Sequence, residues 1–242
     1  DKTAEIGQTL SEKYPNVVML NNPQRLQSAA LNLAAKHYGL HAPLIIRIDA
    51  HSHYPDAFCQ TLIEEQAQTN AASIVVSMNT IAEKGLQKAI AAAQNSKMGN
   101  GGSSHRLIGK DGKWVDHGHH ALFTSESFLK IGGYDETFSH NEDAEYDHRL
   151  SLAGYKIWLT AKTYLDYYPR STFSALFKQY YNFGKGRAKN ILKHKMKPKL
   201  RQMVPAFILP ITLIAFLGIF HSIFYVPFVF WFMGCLTYGL YL

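Results

Sequence analysis

The chain changes character once, near residue 202, and that change constrains its architecture more than any motif does. Upstream, apolar and polar residues alternate as in a water-soluble α/β protein; downstream, residues 203–220 and 223–242 form two apolar runs without a charged residue. Each run is about as long as a helix that crosses a ~30 Å hydrocarbon core at about 1.5 Å per residue. Pro205, Pro210 and Pro227 would tend to break the helices of a buried hairpin, whereas membrane helices tolerate proline. Between the two regions, Lys185, Arg187, Lys189, Lys193, Lys195, Lys197, Lys199 and Arg201 form a basic collar. Lys and Arg gather on the cytoplasmic flank of membrane spans, so the pattern predicts a cytosolic soluble part tethered to a bilayer.

The net charge of +7 hides an asymmetry. All 18 acidic residues lie at or before Asp166, with 15 of the Lys and Arg; the other 10 follow without a single acid. A basic segment beside apolar runs predicts anionic lipid headgroups as its partner and no nucleic acid, for which no recognition module is visible. Cys59 and Cys235 lie one in each region, which excludes a disulfide framework and a Cys-based metal site and fits a reducing compartment. The opening Asp1-Lys2-Thr3 falls in mid-pattern, as expected of an internal piece of a longer protein.

Periodicity predicts strands at 16–20, 44–48 and 73–78, alternating with helices at 25–38, 55–69 and 83–94. That β-α-β-α-β order implies a mostly parallel sheet flanked by helices, with sites at the carboxyl ends of its strands. Further on, the pattern predicts a glycine-rich loop at 97–104, extended chain at 113–123, helices at 125–130 and 141–153, strands at 156–160 and 163–168, and a long amphipathic helix from Ser174.

Four segments have the residue types that chemistry needs. In Arg47-Ile48-Asp49-Ala50-His51, residues two apart on an extended chain face the same way, so Asp49 and His51 can address one ligand, or one divalent ion on a diphosphate. The same residues also suit a turn that caps the next helix. In Asn141-Glu142-Asp143, an N-cap puts two carboxylates in a first helical turn; they either stabilise the macrodipole or take a proton at a cleft edge. Glu145 with Arg149 reads as an ordinary i,i+4 surface pair. In His117-Gly118-His119-His120, alternation sends His117 and His119 to one face and His120 to the other, which suits a polar pocket better than a metal site. Gln179 to Arg187 mixes aromatics and cations, as an interfacial helix or as a phosphate contact through Arg187.

Taken in order, these segments resemble the family 2 glycosyltransferases of GT-A fold, and most closely the membrane-bound enzymes that build succinoglycan-type bacterial exopolysaccharides. Asp1-Lys2-Thr3 is similar to the end of an acidic loop, and Asn22-Pro23 with Ala30-Leu31-Asn32 to the donor-side segment after it. Arg47 to His51 stands where the family has Asp-x-Asp. Gly132-Gly133-Tyr134-Asp135-Glu136 resembles the acceptor-side loop, Glu142-Asp143 the catalytic Glu-Asp, and Gln179 to Arg187 a variant of Gln-x-x-Arg-Trp. The family's first strand is then expected upstream of Asp1.

The resemblance implies a GT-A domain over 1–172, a basic interfacial segment over 173–202 and two transmembrane helices over 203–242. It implies inverting transfer of a sugar, glucose from UDP-glucose, to a polyprenyl-diphosphate-linked oligosaccharide at the bacterial inner membrane. Asp143 and Glu142 would be catalytic; Asn22, Asn32, Arg47, Asp49, Gln179 and Arg187 would bind donor; Asp135, His119 and His120 would bind acceptor. Asp49 and His51 would hold Mg²⁺ or Mn²⁺. The rival is a non-catalytic glycolipid-binding or assembly protein of the same fold.

Overall fold

The computed structural model describes residues 2–103, 109–198 and 200–242, leaving aside the side chain of Arg201. Asp1, Ser104 and Lys199, which figured above in the opening segment, the glycine loop and the collar, lie outside the described residues. In chain order the elements are α1 (Thr3–Lys13), α2 (Gln27–Tyr38), β1 (Leu44–Ile46), β2 (Ser52–His53), α3 (Phe58–Thr69), β3 (Ser73–Thr80) and α4 (Gly85–Asn95). There follow β4 (Lys113–Val115), β5 (His119–Thr124), α5 (Ser125–Lys130), α6 (Glu142–Leu152), β6 (Ile157–Tyr167) and α7 (Phe173–Lys193). The C-terminal part holds α8 (Leu200–Met203), α9 (Ile208–Phe216) and α10 (Val226–Tyr241), joined by 3₁₀ turns.

Five strands run in the order β1-β5-β3-β6-β2, and β4 also pairs β6. The expected parallel set exists, because β1, β3 and β6 all point one way. The sheet is nonetheless mixed rather than mostly parallel: β5 inserts between β1 and β3 antiparallel to both, leaving β3–β6 as the parallel pairing among the described strands. β3 sits at the centre. Val75 packs with Phe123, Phe128, Tyr134 and Tyr146 on one face, while Ile74, Val76 and Met78 pack with Phe58, Leu62 and Leu165 on the other. Burial on both faces explains its unbroken apolar sequence.

Three expectations need correction. Residues 16–19 are exposed, Leu20 is half-buried, and the segment forms no strand, since a β-branched run without a neighbouring strand has nothing to pair with. The two predicted strands at 156–160 and 163–168 are one, β6, with a register shift against β3 between Val75 and Ser77 that absorbs the polar break. Of the two apolar runs, Ser222–Tyr241 is long and apolar enough to cross a membrane by length and composition, whereas Val204–Ile219 is shorter, with Pro205 in a 3₁₀ turn ahead of α9.

The long helix α7 packs on α6 and places the two candidate regions together. Its Gly186 is buried against the carbonyl of His140 and the side chain of Asn141, where a Cβ would collide with both. Asn141 precedes α6 at φ 61°, a left-handed conformation that Asn accepts. Its side chain, expected to cap α6, instead donates to the Phe183 carbonyl at 2.7 Å and fastens α7.

Candidate active site

A cleft of about 520 Å³ opens at the carboxyl ends of β1 and β3, roofed by α7 and floored by the start of α6. Asp49, His51, His119, Glu142, Asp143, Gln179, Arg187 and Arg47 all line it, drawn from segments up to 140 residues apart (47 to 187). His117, Arg170 and Asn100 line it as well.

Asp49 is held from both sides. Arg47 donates to its two oxygens at 3.0 and 3.1 Å, Gln27 donates to Oδ1 at 2.9 Å, and its backbone N–H donates to the Tyr54 hydroxyl at 2.7 Å. Burial raises its pKa, but the Arg47 guanidinium outweighs burial and keeps the carboxyl below its ordinary range. His119 Nε2 stands 3.7 Å from Asp49 Oδ2. Burial, then the charge of Arg47, drive the His119 pKa down to about 3, so this ring is neutral. His119 therefore lies at the Asp49 end of the cleft, not apart from it on an acceptor side.

Glu142 and Asp143 are driven apart. Burial and the neighbouring Asp143 raise Glu142, whereas His117, His120 and Arg47 overcome the burial of Asp143 and hold it well below the ordinary carboxylate range. Divergent ionisation in two adjacent carboxyls is the arrangement expected of an acid and base pair. Asp143 Oδ1 also accepts from the Ala144 backbone N–H at 2.7 Å.

Beneath the cleft lies a buried network that sequence reasoning missed. Asp147 binds His117 Nδ1 at 2.8 Å and His120 Nε2 at 2.7 Å and accepts from the Gly118 N–H at 3.3 Å. His120 Nδ1 meets the Tyr134 hydroxyl at 2.5 Å, and that hydroxyl accepts from Arg47 at 3.2 Å. The signal available was spacing: Asp147 follows Asp143 by four residues, on the same helix face.

Several expected residues lie elsewhere. His120 is fully buried in this network and does not reach the cleft surface, as strand alternation with His119 requires. Asn22 and Asn32 line a separate cavity of about 230 Å³, where Asn32 binds the Tyr134 carbonyl and Glu136. Asp135 pairs with Lys193 at 2.6 Å outside the cleft. Glu145 is no surface residue: fully buried, it receives Arg149, Lys193 and His194 at 2.5–3.0 Å, binding α6 to α7. The collar is thus partly neutralised from within the protein, with Lys193 on two carboxylates, while Lys189 is tied to the uncharged carbonyl and hydroxyl of Thr137.

Comparison with known proteins gives this cleft a setting. The family model for glycosyl transferase family 2 matches residues 1–132. Over all 242 residues the chain is 51% identical to the succinoglycan biosynthesis protein ExoA of Rhizobium meliloti (strain 1021), covering 73% of that protein. The chain belongs to glycosyl transferase family 2. It is a glycosyltransferase, and its α/β fold agrees: the crystal structure of S. aureus TarS matches at 12% identity with a TM-score of 0.50, over 86% of this chain and 35% of that one. TarS 1-349 in complex with UDP matches with a TM-score of 0.48 at 12% identity, over 90% of this chain and 60% of that one, too distant to bear an argument. The chain thus spans less than two thirds of these solved structures.

Members of such GT-A families commonly use a divalent metal. Among the described residues no group of three His, Cys, Asp or Glu side chains is placed to hold an ion. The cleft is lined by both the Asp49 carboxylate and the exposed His51 imidazole, with room for a substrate. That donor set fits Mg²⁺ or Mn²⁺ arriving with phosphate oxygens and water as its remaining ligands, and does not form a closed protein cage.

Proposed function

We propose that this family 2 glycosyltransferase moves a sugar, glucose from UDP-glucose, with inversion onto a polyprenyl-diphosphate-linked oligosaccharide during exopolysaccharide assembly. The observation that carries the reading is the convergence of Asp49, His51, Asp143, Gln179 and Arg187 on one cleft. The whole-length identity with a succinoglycan biosynthesis protein supports the exopolysaccharide setting.

In this mechanism Asp143, ionised, accepts the proton of the acceptor hydroxyl. The hydroxyl oxygen forms a bond to the anomeric carbon as the bond from that carbon to the diphosphate oxygen breaks, and the nucleoside diphosphate leaves with the electron pair from the opposite face. Attack opposite the leaving group inverts the configuration. The entering diphosphate raises the affinity of Asp143 for a proton, which moves this strong acid toward a useful base. Arg187 and Arg170 present forked guanidinium groups to the phosphates. Gln179 donates to the Tyr167 hydroxyl at 2.8 Å and leaves Oε1 buried without a partner among the described residues, an acceptor for a donor hydroxyl. A bound Mg²⁺ or Mn²⁺, held by Asp49 and His51, would neutralise charge on the departing diphosphate.

We assign residues 1–172 to the catalytic domain, 173–202 to an interfacial segment and 203–242 to a membrane anchor at the bacterial inner membrane, with the cleft in the cytosol. Exposed Phe173, Phe177 and Tyr181 on α7, followed by the apolar Ser222–Tyr241, support this arrangement. The test is transfer by the full chain in membranes, supplied with UDP-glucose and a polyprenyl-diphosphate oligosaccharide. The expected product is one hexose heavier by mass spectrometry, with β linkage by NMR. Transfer from another nucleotide sugar and none from UDP-glucose would overturn the donor; an α linkage would overturn inversion.

A further inference from the structure

Among the buried ionisable residues that the mechanism above leaves unused, Asp147 with His117 and His120 lies directly against the cleft. A carboxylate whose side chain is 1% exposed is costly unless paired, and here it is bonded on both oxygens. Its two imidazoles differ in position. His120 is sealed between Asp147 and Tyr134, whereas His117 lines the cleft beside Asp143. Gly118 lets this happen, since its N–H donates to Asp147 and a Cβ there would run into Val75.

We propose that Asp147 is a positioning residue for sugar transfer: through its bond to His117 it holds a protonated imidazole beside Asp143, and so keeps the base ionised when an anionic donor enters the cleft. The proposal rests on the reading of Asp143 as the base. Asp143 and Asp147 lie one helical turn apart on α6, and His117, bonded to the second, shares the cleft with the first and acts on it through its charge. Without that cation, an arriving diphosphate would push a proton onto Asp143 and silence it.

The charges facing His117 are mixed in sign, with the two carboxylates of α6 opposed by Arg187. From α6 come Asp147 and Asp143 and from α7 Arg187; the next imidazoles along the chain, His119 and His120, open β5, and Arg47, just past β1, reaches the network only through Tyr134 and His120. Burial lowers the His117 pKa, but the bond to Asp147 and the charges of Asp143 and Asp147 prevail and raise it. The ring is therefore protonated below that raised value and neutral above it, so transfer falls on the alkaline side as His117 loses its proton.

The test uses the full chain in detergent with ¹³C-labelled histidine, and reads the His117 titration midpoint alongside kcat against pH. The wild-type midpoint lies above the ordinary ~6.5. Asp147→Asn lowers it by about 1 pH unit or more, and the alkaline limb of kcat moves down with it, while KM for UDP-glucose changes less than threefold. His117→Gln removes that limb and lowers kcat; in this background Asp147→Asn takes away only a like charge near Asp143 and restores no limb. A His117 midpoint unmoved in folded Asp147→Asn, or an alkaline limb unchanged in His117→Gln, overturns the proposal while loss of transfer in Asp143→Asn keeps the base reading intact. Wild-type turnover in Asp143→Asn overturns both.

Discussion

Replacing Glu145 by Gln isolates the contact that binds α6, the helix that carries Glu142 and Asp143, to the cleft roof α7. The carboxylate is fully buried and faces Arg149 Nε at 3.0 Å, His194 at 2.9 Å and Lys193 at 2.5 Å. A neutral amide leaves these donors short of an acceptor, and its own N–H groups point at cations. Removing one member of a buried ion pair costs about 3–5 kcal/mol. Lys193 is 38% exposed and can return to water, and Arg149 keeps its bonds to the Ile131 and Gly133 carbonyls, which places the cost near the lower figure. At about 3 kcal/mol, a domain of this size loses about 6–12 °C in Tm. The sign of the pH dependence follows from the same contacts. Burial raises the Glu145 pKa, but Arg149, Lys193 and His194 outweigh it and hold it below its ordinary value. Its contribution is therefore complete above the unfolded pKa of about 4.3 and fades as pH falls through the lower folded value. Thermal unfolding of the full chain in one detergent, at pH 7 and at pH 4 or below, is the assay, with exposed Glu64→Gln as control. A Tm within 2 °C of wild type at pH 7, or a gap that stays constant on acidification, refutes this reasoning.

Asp143→Asn is expected to fold, to bind UDP-glucose nearly normally and to lose turnover by about 10² to 10⁴-fold, measured as sugar transfer under saturating donor. Retention of more than a tenth of wild-type turnover would remove it as the base. Chelation should abolish transfer by the full-length enzyme and Mn²⁺ or Mg²⁺ restore it, and His51→Ala should weaken Mn²⁺ binding read by electron paramagnetic resonance; wild-type metal affinity in that variant would reduce His51 to a loop residue. A chain ending at Lys195 should remain in solution without detergent, whereas residues 1–242 should need it; a monodisperse detergent-free sample of the longer chain would contradict the membrane reading.

The elements that sequence displayed best were those whose burial is set by their own periodicity. Helix α6 was expected within a residue of each end, because Asn141 opens it and Gly154 closes it. Strand β3 announced itself by an apolar run buried on both faces. What sequence did not display was neighbour choice. The insertion of β5 between β1 and β3 is a tertiary decision, settled by where Leu122 and Phe123 find packing partners on opposite faces. The unpaired extended segment at 16–20 failed for the same reason: β-branched residues favour a sheet only when one is beside them.

The site divides along the same line. Asp49, His51 and Asp143 were legible as cleft-lining residues because each sits in a short motif whose local geometry brings it to a strand end or a helix start, whereas Gln179 and Arg187, in the middle of α7, stood out by the aromatic and cationic run that carries them. Asp147 and Glu145 were not, because their roles come from partners 30 and 49 residues away and local spacing offers only helix pairing. Yet the two differ from surface acids in one respect that sequence does contain. With Asp143 at the head of α6, Asp147 falls on its face and under the cleft, while Glu145 and Arg149 fall on the flank that meets α7. A helix of eleven residues carrying four acids and no second apolar stripe cannot be both buried and unpaired. Its acids must find cations or imidazoles from other elements. The three histidines of 117–120 and the basic end of α7 are where this chain supplies them.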